Sequence, residues 1–203
     1  MSRKAVIFDL GGVLIDYDYV RTVNASAALL GLSPEEFSAS FGRVSRSIGT
    51  GVLDSSSTYQ LAQSESRRSD LTYDAFAAAF CAGMARNDEA IAYALTLENR
   101  PEVDIGIISN TNALHVHWLE ENVPEFDQFE LILYSNEVQM LKPEPDIYRL
   151  ALELLDLPPR HCLFIDDVAD NVVGAQFIGM AGHLHTGNWV ATRHQIEAFL
   201  AEG

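Results

Sequence analysis

Four short apolar runs in this sequence each lead into reactive polar residues, and that repeated pattern limits the fold more than any other feature. Ala5-Val6-Ile7-Phe8 stops at Asp9 and a Gly11-Gly12 pair. Val103 to Ile108 stops at Ser109 and Asn110, and Cys162 to Ile165 at Asp166 and Asp167. Leu131 to Tyr134 is followed by Lys142, in Leu141-Lys142-Pro143-Glu144-Pro145. Runs this short and this uniformly apolar fit strands buried on both faces. A weaker run spans Gly182 to His185. Helical patterns separate the strands: Asn112 to Glu121, Glu144 to Leu155, Ala169 to Ile178, and Thr192 to Ala201 with Thr192 as the expected cap. Strands alternating with single helices predict an α/β fold, a Rossmann-like parallel sheet core with helices on both faces.

The stretch from Tyr17 to Ala85 breaks that rhythm. It holds helical periods at Val20 to Leu30, Pro34 to Phe41, Ser55 to Gln63 and Tyr73 to Met84, and no buried strand. Ser33-Pro34-Glu35-Glu36 is a strong helix start. The expected organisation is a core of residues 1–16 and 86–203 with a small helical cap, 17–85, inserted after the first strand. In a parallel sheet, ligands bind beyond the carboxyl ends of the strands, so an insert there roofs the site.

Composition narrows the chemistry. Of 203 residues, 48% are hydrophobic and 21% charged, an ordinary globular balance. The net charge of −16 repels nucleic acid and anionic membranes, so neither is an expected partner. Any phosphate site must then carry local positive charge. Cys81 and Cys162 form neither a disulfide framework nor a metal-knuckle spacing, which fits a reduced, cytoplasmic protein. The first apolar run is cut at Asp9, too early for a signal peptide, and no apolar stretch approaches the ~20 residues of a membrane span.

If the sheet is parallel, Asp9, Ser109, Asn110, Lys142, Asp166 and Asp167 meet at one edge. Carboxylate oxygens there suit Mg²⁺, which takes one or two carboxylates and completes its shell with water and phosphate oxygens. A lysine and a hydroxyl would grip the rest of a phosphate, making a site for phosphoryl transfer on a small-molecule phosphate. Each residue alone reads as a turn, cap or surface group; their order and placement favour the site. The chain has eleven Arg and only two Lys, Lys4 and Lys142, so a lysine here is a marked choice.

Val6-Ile7-Phe8-Asp9-Leu10-Gly11-Gly12-Val13-Leu14 resembles the first motif of the haloacid dehalogenase superfamily. Ile107-Ile108-Ser109-Asn110-Thr111 resembles the second and Lys142-Pro143 the third. Phe164 to Asn171, with Gly174-Ala175, resembles the fourth. The likeness runs from Lys4 to about His185. Ser109-Asn110-Thr111-Asn112, Leu114-His115, Trp118, Lys142-Pro143-Glu144 and Ile147-Tyr148 look closest to the sugar-phosphatase branch that includes bacterial α-glucose-1-phosphate phosphatase.

The resemblance implies a Mg²⁺-dependent phosphatase acting on a small organic phosphate, a sugar phosphate in that branch. It makes Asp9 the nucleophile. Asp9, the Gly11 carbonyl and Asp167 would be metal ligands, with Asp166 orienting a metal-bound water or binding more loosely. Ser109 and the Asn110 amide would hold the phosphoryl group, Lys142 would neutralise it, and Asn171 would support the Asp166–Asp167 loop. Two rival readings stand beside it. One is hydrolytic dehalogenation by the same Asp9, which needs no metal; the other is a non-catalytic binding or regulatory protein on this fold.

Most phosphatases of the superfamily carry an acid two residues after the nucleophile, where this chain has Gly11. Such a general acid/base is typically worth ~10²–10⁴-fold in rate. The branch it resembles shares the glycine, and an anomeric leaving group, being more acidic, needs less help. An aspartate restored at Gly11 risks a backbone conformation open only to glycine. Asp16 is either a substitute acid or, as we favour, a turn residue. His183 and His185 share one strand face, as a metal pair or, more simply, as structural residues. His115 and His117 do not share a helix face. Arg43, Arg46, Arg67 and Arg68 are candidate cap contacts, and Phe76 and Phe80 read as cap core.

Overall fold

A computed structural model describes residues 3–202. The chain opens with β1 (Lys4–Phe8) and β2 (Ile15–Tyr17). Five helices follow: α1 (Tyr19–Leu30), α2 (Pro34–Gly42), α3 (Ser45–Gly49), α4 (Ser55–Glu65) and α5 (Tyr73–Phe80). Next come β3 (Met84–Arg86), α6 (Asp88–Glu98), β4 (Val103–Ser109), α7 (Ala113–Asn122) and β5 (Leu131–Tyr134). The chain ends with α8 (Ser135–Val138), α9 (Pro145–Leu155), β6 (Cys162–Asp166), α10 (Ala169–Phe177), β7 (Ala181–Leu184) and α11 (Trp189–Ala201).

The five long-range strands form one parallel sheet in the order β5-β4-β1-β6-β7. All five residues of β1 are buried. Successive side chains of a strand face opposite ways. Val6 and Phe8 therefore join a core that includes Ala90 and Leu97 of α6, Leu119 of α7 and Ile196 of α11. Ala5 and Ile7 join the opposite core, with Ile147 and Tyr148 of α9 and Ala175 of α10. The sandwich of helices on both faces is the α/β fold expected.

Between β2 and β3 the chain makes helices only. They have a separate core built on Leu30, Phe37, Phe41, Phe76 and Phe80, which reaches Leu114 of α7. The Ser33 capping box is complete: Glu36 N donates to Ser33 Oγ at 3.2 Å and Ser33 N to Glu36 Oε2 at 2.8 Å. β2 and β3 pair antiparallel where this segment leaves and returns. The segment touches the core over the carboxyl end of the sheet: Ser135 Oγ donates to Gly49 O at 2.6 Å, and Arg46 pairs with Glu144 at 2.8 Å.

Several details differ from the sequence reading. The helix expected to run to Met84 ends at Phe80, because Met84 belongs to β3. The cap of α11 is Asn188, which accepts from Ala191 N at 3.1 Å, not Thr192. Thr192 lies inside the helix, fully buried, with its Oγ1 3.0 Å from His183 Nε2 and 2.8 Å from His185 Nδ1. That shared hydroxyl accounts for both histidines structurally. The sequence reading also did not anticipate β2, β3, α3, α6 or α8.

Candidate active site

β1, β4 and β6 are adjacent, so their carboxyl ends bring Asp9, Ser109 and Asp166 side by side. Lys142, on the loop between α8 and α9, completes the group. Its buried Nζ lies 2.7 Å from Asp9 Oδ1 and 2.6 Å from Asp166 Oδ2. The Nζ also sits 5.3 Å from the centre of the Phe164 ring, an apolar wall that holds the ammonium toward its two carboxylates.

The two oxygens of Asp9 are not equivalent. Oδ1 accepts from Leu10 N at 2.7 Å and from Lys142, while Oδ2 has no hydrogen-bond partner among the described residues. Burial pushes the Asp9 carboxyl up to about 6, with Lys142 opposing that rise and Asp166 adding to it. Asp166 is engaged on both oxygens. Oδ1 takes Val168 N at 2.8 Å and Asn171 Nδ2 at 3.1 Å; Oδ2 takes Lys142 Nζ and Asn171 Nδ2, the latter at 3.0 Å. Asn171 is itself anchored, since its carbonyl accepts from Tyr148 Oη at 2.8 Å.

Asp167 is the exposed member of the group, its carboxyl raised first by desolvation and then by Asp166. Gly12 lies under it with φ +77, and a Cβ there would fall 2.3 Å from Asp167 Oδ2. Both the left-handed backbone and the close approach require glycine. At Gly11 the case is different. A Cβ would meet only Tyr17 Cβ, at 3.7 Å, and the backbone is not left-handed. The glycine-only conformation feared at Gly11 belongs to Gly12.

Asp9, Asp166 and Asp167 offer oxygens that all lie within 4.8 Å of one another. Three ionised carboxylates against one ammonium leave a local charge of −2, which a divalent cation balances. Hard oxygen donors of this kind fit Mg²⁺. Ser109 is buried at the end of β4, its hydroxyl without a partner among the described residues. The Asn110 side chain does something the sequence did not suggest: it bonds the main chain of Lys142 at both N and O, at 2.8 and 2.9 Å. Asp16 is exposed, and its Oδ1 accepts from Asn87 Nδ2 at 3.1 Å, while Ile15 and Tyr17 on either side of it line the cleft above the site.

Of the candidate cap contacts, Arg67 pairs with Glu36 and Arg68 with Asp70, both within the helical layer; Arg43 reaches Ser40. Arg46 lines the cleft. Phe76 is wholly buried, as expected of cap core, but Phe80 also forms cleft wall. His117 is exposed beside Glu120 and Glu121, whereas His115 turns into the cleft.

A family model for haloacid dehalogenase-like hydrolases matches residues 3–179. The chain belongs to that family. Among curated relatives, the sesquiterpene phosphatase astK of Aspergillus oryzae (strain ATCC 42149 / RIB 40) is 29% identical over 93% of this chain and 92% of its own length. D-ribitol-5-phosphate phosphatase of Bacteroides thetaiotaomicron is 25% identical over 83% of this chain and 85% of its own. The fold is shared with the crystal structure of the family enzyme bt-2542 of Bacteroides thetaiotaomicron, solved with magnesium and inorganic phosphate. That likeness has a TM-score of 0.83 at 23% identity, over 94% of this chain and 99% of the other.

Proposed function

We propose that this chain is a Mg²⁺-dependent phosphatase of a small organic phosphate, working through an aspartyl-phosphate on Asp9. The observation that carries the reading is the asymmetry of Asp9: one oxygen is fixed by Lys142 and Leu10 N, and the other is free to meet a substrate. Asp9 Oδ2 attacks phosphorus and the bond from phosphorus to the alcohol oxygen breaks. Ser109 Oγ and the Asn110 main-chain amide hold the phosphoryl oxygens, and Lys142 offsets their charge. Gly11 carries no proton, so the departing alkoxide takes one from water. A second water then attacks phosphorus, breaks its bond to Asp9, and restores the carboxylate while releasing inorganic phosphate.

Asp9, Asp167 and the Gly11 carbonyl would hold the metal, which supplies charge neutralisation for the phosphate oxygens. Asp166, saturated by protein donors, acts through Lys142 and Asn171 rather than as a primary ligand. The magnesium and phosphate in the bt-2542 crystal support this reading by likeness. The dehalogenase alternative has no use for the −2 cluster, and a non-catalytic role has none for a nucleophile held ready. A sugar phosphate, the finer expectation, has support from the ribitol-phosphate relative; the sesquiterpene phosphatase, with an apolar substrate name, is the more similar of the two in identity and coverage. Residues 17–85 would act as a closing cap.

The test is phosphate release from acetyl phosphate with and without Mg²⁺, by wild type and Asp9→Asn. Metal-dependent release that vanishes in a folded Asp9→Asn protein is expected. Equal release by the variant would exclude Asp9 as nucleophile.

A further inference from the structure

A cleft of about 550 Å³ opens above Gly11, Ser109 and Asn110, between the sheet edge and the helical layer. It borders the acidic cluster through Leu10 and Gly11, the two residues after Asp9, so whatever is joined to a phosphate at Asp9 must occupy it. Its walls are mainly apolar, and five aromatic side chains, Tyr17, Tyr19, Phe37, Phe41 and Phe80, are among them.

Most polar side chains that line the cleft are already committed to the protein. Arg46 is paired with Glu144. Asn110 is spent on Lys142, and Asn112 Oδ1 accepts from Leu114 N and His115 N. Thr22 Oγ1 accepts from Gly83 N at 3.1 Å, and Ser45 Oγ donates to Gly42 O at 3.0 Å. His115 Nε2 lies 3.3 Å from Phe80 O. A carbonyl only accepts, so Nε2 carries the ring proton and Nδ1 is left as a lone acceptor. Burial keeps the ring neutral, its pKa lowered to about 4. Above the floor there remain that nitrogen, the hydroxyls of Tyr19, Ser38 and Thr111, Asn112 Nδ2 and the N–H groups of Arg46 that Glu144 does not take, all of them spaced along a wall that is otherwise apolar.

A phosphorylated sugar brings a hydroxyl on nearly every carbon, each needing partners once it leaves water. A site that selects such hydroxyls presents matching free groups. This one presents mostly apolar surface, aliphatic and aromatic, which rewards burial of apolar area. The geometry points to a substrate whose phosphate is carried on an apolar, ring-bearing alcohol rather than on a polyhydroxylated sugar. This deepens the phosphatase reading and rests on it.

The comparison that tests it uses benzyl phosphate and glucose 6-phosphate, both esters of primary alcohols, so that leaving-group chemistry is nearly matched. Calorimetric titration of Asp9→Asn protein in Mg²⁺ reads binding without turnover. Benzyl phosphate is expected to bind at least about tenfold more tightly, and wild-type kcat/KM to favour it in the same sense. Tyr19 is 60% exposed, so Tyr19→Ser should leave the fold intact while weakening benzyl phosphate several-fold more than the sugar ester. Equal or tighter binding of glucose 6-phosphate, with acetyl phosphate still hydrolysed by wild type, overturns the apolar assignment and leaves the phosphatase standing. No metal-dependent hydrolysis of acetyl phosphate removes both.

Discussion

Asn110 grips the main chain of Lys142 from both sides, its Oδ1 accepting from Lys142 N at 2.8 Å and its Nδ2 donating to Lys142 O at 2.9 Å. Asn110 directly follows β4, whereas Lys142 lies on a loop that the sheet does not hold. The paired bonds tie the lysine's backbone to a strand end, and so fix where its ammonium can reach.

Asn110→Ala should therefore act through Lys142. We expect kcat to fall about 10- to 100-fold, the range typical of a lost supporting contact, with a smaller change in KM. Asn110→Asp keeps the acceptor but loses the donor, and should fall between. A variant with unchanged kcat would show that the lysine needs no such anchor.

The two adjacent carboxylates should separate cleanly. Asp166 is fully buried under four protein hydrogen bonds, and its loss strands Lys142 and Asn171. Asp166→Ala should cost about 3–5 kcal/mol of stability, read from urea unfolding. Asp167 is exposed, so Asp167→Ala should alter unfolding little and weaken Mg²⁺ binding strongly, read by calorimetry. The reverse order would mean the two roles are exchanged.

The metal-free protein should be strained electrostatically at neutral pH. The Asp9 carboxyl rises from an ordinary 3.8 to about 6 on folding, chiefly by desolvation. Between those values the folded chain holds more protons than the unfolded one, so stability declines as pH rises through that window and stays lower above it. Asp9→Asn removes the buried charge. Without metal at pH 7 it should melt higher than wild type, by about 1–3 kcal/mol of stability, and the gap should close toward pH 4. Mg²⁺ should stabilise wild type more than the variant. A lower melting point for the variant at pH 7 would contradict the sign.

Gly11 leaves room for a test of the missing acid, because a Cβ there meets nothing closer than 3.7 Å. In wild type, phenyl phosphate should be turned over much faster than benzyl phosphate, since phenoxide leaves unaided. Gly11→Asp should narrow that ratio by raising the benzyl ester about 10-fold or more. An unchanged ratio would point to a proton donor elsewhere. Asp16 is a poor candidate, turned out to solvent and bonded to Asn87.

Much of this architecture was legible because buried parallel strands leave an unmistakable trace. Val6 to Phe8 and Leu163 to Ile165 are apolar on both faces and end abruptly at aspartates. Adjacency in the sheet then gathers those aspartates without further information. The three-residue strands β2 and β3 and the single turn of α8 are too short to show a period. In α6 the small core residues Ala90 and Ala94 blunt the contrast between faces. Thr192 suits a cap by residue type as well as Asn188 does, and only packing against His183 and His185 decides between them. Nothing in the residue order announces that Asn110 binds a backbone 32 positions away, or that His115 rather than His117 turns into the cleft.

The pairing of β2 with β3 has a consequence for how such a protein changes over time. The chain departs for the helical layer and comes back along neighbouring strands, about 5 Å apart. To the sheet, everything between is one closed loop whose two ends meet at that pairing. Lengthening such a loop costs little, about 0.6 kcal/mol for each doubling. The roof can thus be rebuilt or exchanged wholesale while Asp9, Lys142 and Asp167 stay where they are. The groups around Asp9 lie outside the stretch that is freest to vary, while the cleft above them draws its lining from within that stretch and from outside it.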